Sequence, residues 1–158
     1  MPTSSPRIPR DARDLLRAFC AREVRFLVVG AHALGFHGAP RATGDFDLFV
    51  EPTAENARRV MSALEEFGAP LLDLTLDDLS RPGVVFQMGV PPYRIDLATE
   101  LTGVTFEECW HGRGIARVEG LELPVIARAA MIRNKRATGR PKDRLDLELL
   151  GESVDPAS

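Results

Sequence analysis

Several things are scarce in this chain, and each scarcity excludes a class of function. There are only two cysteines, Cys20 and Cys109, each beside large apolar residues and neither in a CxxC or Cys/His spacing. That excludes a cysteine-based zinc or redox centre and leaves two buried free thiols, as suits a reducing cytoplasm. Lysine is equally sparse: among 20 basic residues only Lys135 and Lys142 are lysines, and both fall in one segment near the C-terminus. No apolar run approaches the roughly 20 residues needed to cross a bilayer, so no membrane role is expected. Met1 to Arg10 carries three prolines, two serines and two arginines but no apolar h-region, and reads as a loose tail rather than a secretory signal. A cytoplasmic location follows as the expectation. The net charge of −3 is too weak to argue for nucleic acid as a partner of the whole protein, although a local basic patch stays open.

The 158 residues present suit one domain, with 1–10 and 151–158 as flexible tails. Asp11 to Ala21 places Ala12, Leu15, Leu16 and Phe19 at helical spacing. A buried strand, Val24 to Val29, closes on Gly30, and Ala31 to Phe36 reads as a short helix. The loop Ala39 to Gly44 leads into a second strand, Asp45-Phe46-Asp47-Leu48-Phe49-Val50. A helix after Pro52-Thr53 carries Ala57, Val60, Met61, Leu64 and Phe67 on one stripe and stops at Gly68. Val84 to Leu97 reads as two strands broken at Pro91-Pro92. A shorter hairpin turns at Glu119-Gly120, and helices are predicted over Ala127 to Ala137 and Pro141 to Leu150.

Asp45 and Asp47 are the most informative residues. Side chains at i and i+2 of a strand share a face, so both carboxylates point one way while Phe46 and Leu48 point the other. Two anions held so close call for a cation. Asp96 lies in the later run Tyr93-Arg94-Ile95-Asp96-Leu97, again with apolar residues on the opposite face. If the two strands are neighbours, the three acids form a cradle for a divalent ion. A bare Asp-x-Asp is nonetheless common on exposed strand ends, and only the glycine turn upstream and the third acid lift this one above that background.

The order strand, Gly30 turn, helix, Asp45-x-Asp47, helix, hairpin with Asp96 resembles the nucleotidyltransferase superfamily of the DNA polymerase beta and kanamycin nucleotidyltransferase type. The second half of the likeness, Arg133 to Asp143, is similar to C-terminal motifs of the abortive-infection toxin branch. The resemblance implies an α/β (α+β) fold: a mixed, mainly antiparallel central sheet flanked by helices, with further helices at the C-terminus. It implies Asp45, Asp47 and Asp96 as metal ligands for two Mg2+ ions, with Mn2+ as an alternative. It assigns catalysis to these three with Lys135 and Asp143, and nucleotide binding to Gly30, Ala31, Arg41, Thr43, Arg140 and Lys142. Asp146 is a further matching position. Ala31 departs from the pattern, since a small polar residue or glycine stands there in the superfamily; backbone N–H groups would remain for phosphate.

The chemistry is coherent. A nucleoside triphosphate carries about four negative charges and cannot approach clustered aspartates unless divalent ions lie between. Two ions ~4 Å apart would activate an acceptor hydroxyl and steady the departing pyrophosphate. Plainer readings stand beside several assignments. Arg41 could balance the carboxylates, His32 and His37 could simply pack, and so could Phe106 and Trp110. Asp143 and Asp146 could serve the dipole of the last helix, and both lysines could face water. The expected activity is transfer of an NMP from an NTP to an acceptor hydroxyl, with tRNA, a partner protein or a small molecule as acceptor. A role in a toxin–antitoxin or phage-defence system, with a cognate toxin or antitoxin as partner, is included. The rivals are an antitoxin-like protein adenylyltransferase and a silent binding module on the same fold.

Overall fold

The computed structural model describes residues 10–40, 44–90 and 93–153. Along the chain run α1 (Arg10–Ala21), β1 (Phe26–Val29), α2 (Gly30–Phe36), β2 (Asp45–Val50), α3 (Ala54–Phe67) and α4 (Leu76–Ser80). They are followed by β3 (Val85–Val90), β4 (Tyr93–Ala98), α5 (Phe106–His111), β5 (Gly114–Val118), β6 (Leu121–Val125), α6 (Arg128–Thr138) and α7 (Pro141–Leu149).

All four residues of β1 are apolar and buried, the pattern of a strand covered on both faces, and it takes an inner place in the sheet. The six strands lie in the order β3-β4-β2-β1-β6-β5. β1 runs antiparallel to β2, and the hairpins β3/β4 and β5/β6 are antiparallel, while β2/β4 and β1/β6 are parallel. The expected mixed, mainly antiparallel sheet with flanking and C-terminal helices is therefore what forms. Apolar spacing in α1 buries Leu15, Leu16 and Phe19, and the Phe19 ring meets Phe26 of β1 edge-on at 5.3 Å. Thr53 caps α3 by accepting from the Asn56 N–H, and Gly68 ends it in the left-handed conformation that glycine adopts without steric cost.

Two details depart from the sequence reading. The first strand begins at Phe26 rather than Val24, because the Val24 N–H still bonds back to Phe19 and Glu23 sits at φ +55° in the turn. The short helix α4 is an addition to the expected elements. Beyond α7, Glu152 meets Arg128 at 2.9 Å and Arg136 donates to the Ser153 carbonyl at 2.9 Å. Pro91 and Pro92 lie outside the described residues, although pairing of Val90 with Tyr93 fixes the two strands they join. No helix among the described residues is long and apolar enough to cross a membrane.

Packing explains the aromatic and sulfur residues. Phe106 stacks on Trp110 at 5.7 Å and meets Phe49 edge-on, and Arg113 lies 3.9 Å over the indole. Cys109 is buried and unbridged, and desolvation pushes its thiol up to about 11, where it is inert at neutral pH. The His37 ring nitrogen bonds the Ile126 carbonyl, and the His32 ring lies against Phe46.

Candidate active site

The strand register decides the geometry. Val29 pairs with Asp47, Asp47 with Asp96, and Asp96 with Gln87, which places one row of side chains across β1, β2, β4 and β3. Residues in one row share a face, so Asp47 and Asp96 project together. The next row brings Asp45 opposite Arg94 on that same face. Phe46, Leu48, Ile95 and Leu97 occupy the other face and are buried, which anchors both strands in the core.

Gly30 ends β1 beside this pair. It adopts φ +69°, and a Cβ there would overlap the Asp47 carboxylate. The glycine is thus demanded twice, by backbone conformation and by the close approach of the acid. Gly30→Ala is expected to cost ~1–3 kcal/mol for the forced backbone alone. The same change in an Asp47→Ala background should cost less, because the overlapping carboxylate is gone; urea midpoints of the three variants check this. Ala31 is buried and turns its methyl inward, so only backbone groups could serve a ligand there.

Asp96 carries the marks of an acid meant to meet something else. Burial pushes its pKa up, the Arg94 charge opposes this, and Asp45 adds to it; Gln87 and Asp47 both lie in hydrogen-bond contact with it. Its Oδ1 is buried and makes no hydrogen bond among the described residues. A buried carboxylate oxygen without a donor is costly and suits a cation. Asp45 is half-exposed, and its Oδ2 lies 3.5 Å from Arg94. Among the described residues no three His, Cys, Asp or Glu side chains are grouped closely enough to hold a metal ion. Asp47 and Asp96 pair across the ladder, and the Arg94 guanidinium lies 3.5 Å from both Asp45 and Asp96, so one cation serves two of the three acids.

A cleft of about 250 Å³ joins this row to the C-terminal helices. Gly30, Asp47 and Asp96 line one side, and Lys135, Arg140, Lys142, Asp143 and Asp146 the other. Lys135, which could have faced water, is buried: its Nζ sits 2.8 Å from Asp146 and 3.9 Å from Asp143, and Asp146 is fully buried. Lys142 is exposed at the mouth. Asp143 closes the turn between α6 and α7, accepting from Thr138 Oγ1 at 2.6 Å, Arg140 Nε at 2.8 Å and the Arg140 N–H at 3.2 Å. Arg41 and Thr43 lie outside the described residues. The site residues that sequence reasoning missed are Arg94 and Gln87, and the i, i+2 relation of Arg94 to Asp96 could have found the first.

Burial acts to raise the Asp143 pKa, but the hydrogen bonds and charge of Arg140 and the Thr138 hydroxyl outweigh it and hold the carboxyl low. A depressed native pKa contributes stability that is complete above the unfolded value and is lost as pH falls through the native one. The stability gap between wild type and Asp143→Asn should accordingly narrow as pH drops below the ordinary carboxylate value of 3.8. Urea midpoints at neutral and at strongly acid pH measure it.

No family model and no curated protein matches the sequence. Solved structures do. A Thermotoga maritima protein, TM1012, assigned to the nucleotidyltransferases, superposes with a TM-score of 0.61 at 13% identity, over 88% of this chain and 89% of that one. The lincosamide antibiotic adenylyltransferase LnuA, in a lincomycin-bound crystal structure, gives 0.58 at 13% identity over 94% and 98%. ANT(2'')-Ia in complex with adenylyl-2''-tobramycin gives 0.59 at 15% identity over 88% and 84%. At such identity the likeness concerns the course of the backbone, and the assignment to the abortive-infection branch rests on the C-terminal motif alone.

Proposed function

We propose, proceeding from the nucleotidyltransferase fold that this chain has, that it moves an NMP from an NTP to a hydroxyl of a small-molecule acceptor and releases pyrophosphate. The observation that carries the reading is the in-register pairing of Asp47 with Asp96 beside Gly30, in one cleft with Lys135, Arg140 and Lys142. One of the similar folds is that of a lincosamide antibiotic adenylyltransferase and another holds adenylyl-2''-tobramycin, which favours a small acceptor over RNA or protein. The weak net charge points the same way, since binding to RNA rests on neutralising phosphates.

The residues present fit a divalent cation: Asp96 Oδ1 is a buried acceptor lacking a donor, and Asp47 stands beside it. Asp47 and Asp96 would hold the ion nearest the reacting atoms, with Asp45 joining from its half-exposed position. When bound, Mg2+ or Mn2+ would offset triphosphate charge and acidify the acceptor hydroxyl. In the transfer, a bond forms between the acceptor oxygen and the α-phosphorus, and the bond from that phosphorus to pyrophosphate breaks. Asp96, on the carboxylate face beside Asp47, is the acid placed to take the acceptor proton. Lys142 at the mouth and Arg140, which keeps 57% of its side chain exposed, are placed to meet phosphate oxygens. Lys135 reaches the cleft with its charge already balanced by Asp146, so its effect on phosphate is that of a pair, not of a lone cation.

Purified protein incubated with α-labelled NTPs, Mg2+ or Mn2+ and three acceptor pools tests this: hydroxyl-bearing antibiotics, total tRNA and cell protein. A labelled small molecule with equimolar pyrophosphate is expected. Label on tRNA or protein would replace the proposed acceptor, the former suiting a toxin and the latter an antitoxin-like role. Absence of pyrophosphate with every pool would overturn transfer itself and leave a binding module.

A further inference from the structure

We propose that Arg94 is a resident counter-cation of the acidic site, which a divalent ion must displace from its place beside Asp45 and Asp96. The inference rests on the proposed function and adds to it a positioning residue that sets metal affinity.

Two observations carry it. The first is placement: Arg94 pairs with Asp45 across the parallel β2/β4 ladder and stands two residues from Asp96, so its guanidinium lies on the carboxylate face. Its Nη2 is 3.5 Å from Asp45 Oδ2 and its Nε 3.5 Å from Asp96 Oδ1.

The second is the poor quality of this pairing. An arginine fork matched to a carboxylate sits at about 2.7–2.9 Å. Here Arg94 Nε and Asp96 Oδ1 are both buried atoms, within ion-pair range of each other, and neither makes a hydrogen bond. An arginine placed to fasten two strands would complete those bonds. This one balances charge while leaving the acceptor open to a better cation, since leaving such atoms unsatisfied is costly.

Displacing a fixed positive charge from ion-pair distance weakens metal binding, so its removal should strengthen it. Mn2+ titration of the full chain, followed by EPR, is expected to show Arg94→Gln binding ~10-fold or more tightly than wild type, with Arg94→Lys close to wild type. Equal or weaker binding by Arg94→Gln overturns this inference while leaving the transfer reading in place. No bound Mn2+ in either protein at millimolar metal overturns both. A second measurement uses wild type and so does not depend on the variant folding: the Arg94 Nε–H resonance, identified by its absence in Arg94→Lys. It should shift and lose exchange protection as Mg2+ is added; a resonance unmoved at saturating Mg2+ overturns the inference.

Discussion

Asp96→Asn is expected to lower the rate of NMP transfer by about 10³-fold or more, which corresponds to ~4 kcal/mol of lost transition-state stabilisation. Its effect on stability should have the opposite tendency. The native environment raises the Asp96 pKa, chiefly by burial, so the ionised form is disfavoured in the folded protein. A carboxyl raised on folding stabilises the native state only while protonated; that contribution is lost as pH rises through the native pKa. At neutral pH the folded chain therefore bears a cost that asparagine does not, and the substituted amide could still bond Gln87. The contact to Arg94 that disappears is long, at 3.5 Å, and makes no hydrogen bond, so little is lost with it. Thermal melts should place Asp96→Asn at or above wild type, while pyrophosphate release falls to background. A variant that lost activity and stability together would assign Asp96 to the scaffold rather than to the site.

Much of this site is legible without coordinates, and the reason is local. Alternation along a strand is a covalent consequence of the pleat, so Asp45 and Asp47 sharing a face, with Phe46 and Leu48 buried behind them, needs no tertiary information. The stop at Gly68 and the turn at Glu119-Gly120 are legible because a left-handed residue and a short hairpin have their own residue chemistry. What cannot be read is register. Nothing in the sequence says that β2 pairs parallel with β4 with Asp47 opposite Asp96, since that adjacency depends on α3, α4 and β3 all intervening. The helix α4 escapes a sequence reading because five residues with one buried side chain, Leu79, show no periodicity. Its Thr75–Asp78 capping box is the available signal. The Lys135–Asp146 pair escapes it for a different reason. A lysine and an aspartate eleven positions apart on successive helices have many exposed arrangements, and only packing of α6 against α7 selects the buried one.

That pair supports the second prediction of large effect. Lys135 and Asp146 have side chains 7% and 0% exposed and meet at 2.8 Å. Lys135→Met removes the cation that the buried carboxylates of Asp143 and Asp146 share and should cost ~3–5 kcal/mol in urea denaturation, whereas Asp146→Leu leaves Lys135 with Asp143 at 3.9 Å and should cost less. The double variant should cost far less than the sum, because two apolar side chains replace two ions that each gave up hydration. Asp143 is spared in it, since Arg140 and Thr138 still hold that carboxylate. The double variant then separates two jobs that the cleft confounds. If Lys135 serves only to join α6 to α7, the refolded double variant should transfer NMP at the wild-type rate. If it also offsets phosphate charge, the double variant should fold yet show a lowered kcat, with the loss concentrated in the chemical step. The buried location favours joining, whereas its place on the wall opposite Asp47 and Asp96 favours charge offset. Both effects are therefore expected together: near-recovery of stability, and a transfer rate that stays ~10-fold or more below wild type.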